Sequence, residues 1–200
     1  MARIKFTKNE LKSQKDALKR YLRYLPTLLL KKQQLQIVIR RVEAQKAEIE
    51  ERKKGLDQQI RQWIQVFGEG YPVDSLLSVE SVTTDTGNIA GVDIPVFKDI
   101  RFRHEAYDFF ATPLWVDTAV EKLEELIRLD EELAILNRQV ELLEQELRVT
   151  SQRVNLFEKV KIPEAREYIR IIRIYLGDQQ TAAVVRGKIS KSNIVRSTGQ

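Results

Sequence analysis

The chain contains no cysteine, one histidine, five prolines and eight glycines in 200 residues. Without cysteine there is no disulfide framework and no thiolate metal site, which fits a reducing compartment. The lone His104 excludes a histidine-rich metal centre and reads as a packing or surface residue. No apolar run approaches the ~18 residues that span a bilayer. The opening MARIKFTKNELKSQK lacks the apolar core of a secretory signal. A soluble cytoplasmic protein without membrane insertion is the expectation. Phosphate-loop chemistry is also missing: Gly68-Glu69-Gly70 is a lone GxG with no βαβ unit behind it. Carboxylates are plentiful, but on helical arms they read as solvated faces rather than as acid and base pairs. Catalytic, cofactor-binding and metal-binding residues are therefore expected to be none.

What the chain does have is helical periodicity. From Leu126, every seventh residue is Leu126, Leu133, Val140, Leu147 and Val154. Three positions further on stand Leu129, Leu136, Leu143, Thr150 and Phe157. Nine of these ten are apolar, and this spacing makes a coiled-coil seam. A narrow seam needs a partner, and the N-terminal arm supplies one. Its first track is Leu11, Leu18, Leu25, Lys32, Ile39, Lys46, Lys53, Ile60 and Phe67. Its second track is Gln14, Tyr21, Leu28, Leu35, Val42, Ile49, Leu56 and Trp63. One phase holds across roughly eight heptads. Thr7 and Glu10 form a capping-box signal, Pro26 predicts a kink rather than a break, and Gly68 and Gly70 are expected to end the helix.

The seam lysines are expected to snorkel, or to meet carboxylates across the pair. Residues 117–146 hold ten acids against three bases, whereas 31–61 hold nine bases against five acids. Complementary charge of this kind helps set register. Near Ile162-Pro163 the seam slips by one residue and resumes as Ile162, Ile169, Ile172 and Leu176, which suggests a bend. Thr112 and Pro113 are expected as N-cap and first helical residue of the second arm. Gly177-Asp178 is expected to pause or end it.

Between the arms, residues 68–113 lose the helical period. Val79–Thr84 and Ile89–Val96 are strand-compatible around a turn signal at Gly87-Asn88, and so are residues 100–103. This predicts a small β-hairpin with short flanking elements, with Asp99–Phe110 open to a partly helical alternative. The insert joins the arms at one end, so they run antiparallel, with Trp63 and Trp115 packed near the junction. The fold class expected is mainly α: a long antiparallel two-helix coiled coil with a small central β-hairpin insert. The divisions are 1–67, 68–113, 114–185 and a basic tail at 186–200, whose order the sequence leaves open.

Charge is segregated. Residues 1–66 carry +10, 67–113 carry −5 and 114–200 are neutral, for a net +5. Distinct surfaces for distinct partners are implied. Lys and Arg are spread around the helix with no basic region feeding a dimeric zipper and no stacking platform, so nucleic acid is not expected as a partner.

Four segments carry a family resemblance. Leu25-Pro26-Thr27-Leu28-Leu29-Leu30-Lys31-Lys32 resembles the LP-x-L-x-LKK segment of the D subunits of V/A-type rotary ATPases. Gly91-Val92-Asp93-Ile94-Pro95-Val96, Thr112-Pro113-Leu114-Trp115-Val116-Asp117, and Arg153-Val154-Asn155-Leu156-Phe157-Glu158 with Ile162-Pro163 follow in the order of that family. The resemblance implies a central-stalk rotor that does no chemistry itself and transmits torque. Its two long helices form the shaft, with one end inside the ring of catalytic A and B subunits. The small F subunit of the stalk binds the shaft, and the C (d-type) subunit links it to the membrane rotor ring. The location implied is peripheral, on the cytoplasmic face of the membrane. The 46 residues of the insert are too few for the central domain of an F-type γ subunit.

About 60 helical residues at 1.5 Å each would make a rod of ~90 Å. A basic tip, Lys12, Lys15, Lys19 and Arg20 with Arg186, Lys188 and Lys191, is the expected contact with the catalytic ring. The seam residues expected to hold the shaft together are Leu35, Val42, Ile49, Leu56, Leu126, Leu133, Val140, Leu147 and Val154. A non-rotary coiled-coil scaffold, or a chaperone-like hairpin protein, is the alternative.

Overall fold

The computed structural model describes residues 4–67, 76–107 and 112–198, and gives the backbone alone for 63–67 and 198. Helix α1 spans Lys8–Phe67, strands β1 and β2 span Leu77–Ile89 and Val92–His104, and helix α2 spans Trp115–Asn155. A π turn at Leu156–Lys161 leads into helix α3, Ile162–Thr198. The chain divides into two compact units, one of Met1–Lys31 with Thr150–Gln200 and one of Lys32–Val149.

In the unit Lys32–Val149, α1 contributes Leu35, Ile39, Val42, Ile49 and Leu56 to a buried cluster, and α2 contributes Leu129, Leu136 and Leu143. The heptad spacing produces this directly, since residues seven apart return to one face of a helix. Leu126, Leu133, Val140 and Leu147 are only partly buried and flank the cluster. The deepest α2 track is thus the one beginning at Leu129, with Leu143 fully buried. Lys53 forms an ion pair with Asp130 across the helices, and Lys46 lies 3.7 Å from Glu50 on its own helix. Both lysines keep about a third of their side chain in water (35% and 37%), as snorkelling requires.

The described part of the insert is built on one long antiparallel hairpin. Its turn is at Ala90-Gly91, not at Gly87-Asn88 as expected. Ala90 and Gly91 have φ of 53° and 76°, the left-handed pair that a two-residue hairpin turn needs. Gly87 and Asn88 are paired strand residues, opposite Ile94 and Asp93. Asn88 Nδ2 donates to Asp93 Oδ1 at 2.6 Å, and Gly91 N–H donates to Asn88 Oδ1 at 3.2 Å. Asparagine therefore braces the turn from outside it. Gly87 is needed for another reason: a Cβ there would stand 3.0 Å from Val96 Cγ2. The register shifts twice, between Val79 and Ser81 and between Thr83 and Thr84, and such shifts re-aim the side chains beyond them.

The hairpin is not an appendage. Ile94, 3% exposed, belongs to the same buried cluster as Leu35 and Leu143. Gln139 on α2, itself buried, donates Nε2–H to the carbonyl of Pro95 at 2.6 Å. A second cluster of Leu76, Val116, Ala119 and Val120 holds the start of β1 to the start of α2. Glu105 N–H donates to Leu76 O there, and the Tyr107 hydroxyl to Asp117. His104 is a half-exposed surface residue 3.2 Å from Glu124. Residues 105–107 are irregular, so no helix forms after β2 before residue 108.

Helix α2 begins at Trp115, two residues after the expected start, with Val116 N–H donating to Pro113 O at 3.0 Å. Trp115 is half-buried against the second cluster. The Trp63 side chain and the glycines at 68 and 70 lie outside the described residues.

In the other unit, Thr7 caps α1: its Oγ1 accepts from Glu10 N–H at 3.2 Å, and its carbonyl accepts from Leu11 N–H. The Glu10 carboxylate accepts from Gln14 at 2.8 Å. Helix α1 continues through Pro26. Antiparallel pairing shows in two aromatic contacts, Tyr21 with Phe157 (5.2 Å) and Phe6 with Tyr175 (4.9 Å). The buried residues are Thr150, Val154, Ile162, Ala165, Ile169 and Ile172. The expected slip at Ile162 is the π turn, in which Ile162 N–H donates to Phe157 O, five residues back. Pro163 supplies a reason, because its ring would otherwise crowd the carbonyl of Lys159, four residues earlier.

The expected stop at Gly177 does not occur. Helix α3 runs through it to Thr198, with Thr181 Oγ1 donating to Gly177 O at 3.1 Å. The basic tail, whose order the sequence leaves open, is helical through 198, because Gly177 and Gly187 cost the helix only ~1 kcal/mol each and no proline follows.

Candidate functional site

The two units carry opposite charge. Residues 4–31 and 150–198 hold eighteen bases and six acids, a net +12, whereas 32–149 carry −8. The candidate functional surface is this basic unit. Lys12, Lys15, Lys19 and Arg20 are all exposed on α1, and Arg186, Lys188 and Lys191 are exposed on α3.

They form two patches rather than one. Phe6 lies opposite Tyr175, so Arg186 stands eleven residues past the start of the pairing, ~16 Å along a helix axis. Lys15 and Lys19 meet a different set of cations. With Leu18 and Leu22 they face Arg166, Ile169, Arg170, Arg173 and Ile174 across an open cleft of about 630 Å³. Five cations rim an apolar floor. The three arginines were not among the basic-tip residues expected from sequence. Their signal was present in the i, i+4, i+7 spacing of Arg166, Arg170 and Arg173, the face that flanks Ile169. Arg186 lines a separate shallow groove along α3 with Ile189, Ser190, Asn193, Ile194 and Ser197.

Local ion pairs tune the unit. Arg170 grips Glu167 through Nε and Nη2 at 2.9 and 2.6 Å. That contact lowers the carboxyl's pKa and raises the guanidinium's. Glu164 accepts from Tyr168 at 2.6 Å and from Lys161 at 3.2 Å, which lowers its pKa and raises that of Tyr168. Glu167 and Arg170 are exposed, so their pair shapes the surface more than it stabilises the fold, whereas Glu164 and Tyr168 are half-buried.

Among the described residues no cluster of three or more His, Cys, Asp or Glu side chains is placed to hold a metal ion. No described helix is long and apolar enough to cross a membrane. The seam residues Leu35, Val42, Ile49, Leu56 and Val154 are buried, while Leu126, Leu133, Val140 and Leu147 are half-buried at the edges of the cluster.

The arrangement has counterparts among known proteins. A model of the family of ATP synthase D subunits matches residues 10–192, which takes in both arms, the hairpin and the π turn. The V-type ATP synthase D subunit of Borreliella burgdorferi is 52% identical over 197 residues, covering 98% of this chain and 97% of the relative. Its namesake in Chlamydia felis is 34% identical over 197 residues, covering 96% and 94%. That of Chlamydia pneumoniae is 31% identical over 194 residues, covering 96% and 93%. With its paired heptad arms and hairpin lying inside the matched span, the chain belongs to the family of ATP synthase D subunits.

Proposed function

We propose that this chain is the non-catalytic central-stalk shaft of a V-type ATP synthase, transmitting torque between the A/B catalytic ring and the membrane rotor ring. It thereby couples ATP synthesis or hydrolysis to ion transport. The observation that carries the reading is the near full-length match to relatives named as D subunits of V-type ATP synthases. The physics supports it, since a shaft must be stiff and heptad pairing fixes two helices along their length. On this reading the basic unit faces acidic surfaces of the A and B subunits. The hairpin serves as a docking element for the stalk's F subunit, and the C (d-type) subunit binds the foot. The chain is then peripheral to the membrane, on its cytoplasmic face.

A rotating contact must attract without locking at one angle. Exposed charge pairs suit this, each worth only ~0–1 kcal/mol and readily exchanged. Reversing Lys12, Lys15, Lys19 and Arg20 to Glu should therefore leave the chain folded by circular dichroism. It should weaken its incorporation with A, B and F subunits, most at low salt where repulsion is least screened. A reversed complex that assembles, hydrolyses ATP and rotates like the parent at every salt concentration would remove the basic tip from the mechanism. A native-membrane pull-down that brings no A or B subunits would remove the rotor reading itself.

A further inference from the structure

The seam and the hydrogen-bond ladder of the C-terminal arm change at the same place. On the N-terminal side the buried positions are Leu143, Thr150 and Val154, and on the far side Ile162, Ala165, Ile169 and Ile172. From Val154 to Ile162 is eight residues, where a heptad needs seven. The π turn lies between them, closed by the bond from Ile162 N–H to Phe157 O. A π turn holds one residue more than an α turn. The extra residue is thus absorbed without rotating the buried face.

We propose that the π turn Leu156–Lys161 is a twist joint, a single-residue insertion that concentrates the torsional give of this arm while the seams on either side keep register. None of its six residues is buried, so it can deform without repacking the core. Leu156 and Val160 are 44% and 47% exposed. Just past the turn, Pro163 withholds an N–H from the ladder. Each end is separately anchored. Phe157 packs on Tyr21 at the near end, and Glu164 ties Lys161 to Tyr168 at the far end. Give is thereby confined to the residues between. In a shaft under load this is where twist is taken up. That consequence rests on the rotary reading, whereas the joint itself does not.

The test uses the full chain alone. A one-residue deletion inside a packed helix ordinarily turns everything beyond it by ~100°. Here, deleting Val160 should convert the π turn to α-helix and leave Ile162, Ile169 and Ile172 on the seam. The expected result is a folded protein that loses much less melting temperature than the insertion below; adding Pro163→Ala, which removes the ring that crowds the i−4 carbonyl of a straight helix, should bring it level with the parent or above. Amide exchange across 156–165 should slow on the order of tenfold, because local opening becomes harder. Deleting Lys159 creates the same frame and should behave alike, which guards against a side-chain artefact. Inserting an alanine after Lys159 adds a second step to the frame and should lower the melting temperature by ~10 °C or more, as three buried isoleucines leave the seam. If both deletions destabilise as much as the insertion, or leave exchange at 156–165 unchanged, there is no joint. A rotation assay of the Val160 deletion in reconstituted complex tests the torque consequence separately. Unchanged torsional stiffness in the assembled complex, with slowed exchange in the free chain, would count against the torque consequence and not against the joint.

Discussion

Replacing Ile94 by alanine tests whether the hairpin is part of the core. Ile94 is 3% exposed and sits among side chains of α1 and α2. The change removes three carbons, worth ~2.4 kcal/mol in transfer at ~0.8 kcal/mol each. The cavity term brings the expected loss to ~2–5 kcal/mol. An isolated two-stranded hairpin is marginal in water. Much of the loss should therefore appear as detachment of the hairpin rather than as even weakening of the helices.

Gln139 provides an independent handle. Gln139→Leu leaves the Pro95 carbonyl without its donor and should cost ~1–3 kcal/mol. The two sites anchor neighbouring residues of one strand, so the double variant should lose less than the sum. The assay is urea unfolding followed by circular dichroism, with amide exchange read across 77–104. Val79→Ala, at a position 41% exposed, is the control and should fall within ~0.5 kcal/mol of the parent. An Ile94→Ala cost below ~1 kcal/mol, with hairpin exchange unchanged, would refute the reasoning and make the insert a mere appendage.

Two glycines should respond in opposite directions to substitution. Gly91, at φ 76°, should lose ~1–2 kcal/mol as Gly91→Val, because a β-branched residue resists that conformation, while Gly91→Asn recovers most of it; urea midpoints distinguish them. Gly177 lies inside α3 with nothing within 4 Å of a built Cβ, so Gly177→Ala should stabilise by ~0.4–1 kcal/mol. The lowered pKa of Glu164, held down by Tyr168 and Lys161, sets a pH dependence at the far side of the π turn. A depressed carboxyl contributes above its unfolded range, and the contribution is lost as pH falls through the lowered folded value. Protection factors at 161–168, which correct for the slowing of intrinsic exchange in acid, should fall on acidification below the ordinary 4.5, and Glu164→Gln should flatten that response; a parent indistinguishable from the variant would refute it.

The arms were legible because a heptad is a local pattern. Leu35, Val42, Ile49 and Leu56 recur every seventh residue, and the helical geometry places them on one face whatever the partner is. Their antiparallel pairing followed from the short insert, and the Thr7 cap from residue type and spacing. Charge contrast between the arms anticipated the Lys53–Asp130 pair. The turn was misplaced by three residues because Gly87-Asn88 has turn composition in reversed order. The preferred two-residue signal is Asn-Gly, and Ala90-Gly91 supplies only the glycine.

Sequence periodicity alone determined the two helical arms, the strand character of the insert and the place where the C-terminal seam slips. Each is a property of neighbours within about ten residues, where backbone geometry converts spacing into a face. Tertiary structure alone decided that Ile94 and Gln139 fasten the hairpin to the helices, since nothing in Gly91–Val96 states which face of α1 and α2 it will meet. It also decided which α2 track is buried deepest, Leu129–Leu136–Leu143 rather than Leu126–Leu133–Val140–Leu147, because that depends on where the neighbouring helix and strand cover the seam. The slip at Ile162 was visible as an eighth residue. That it became a π turn rather than a break follows from burial on both sides: Val154 and Ile162 each remain in the core only if the extra residue is absorbed between them.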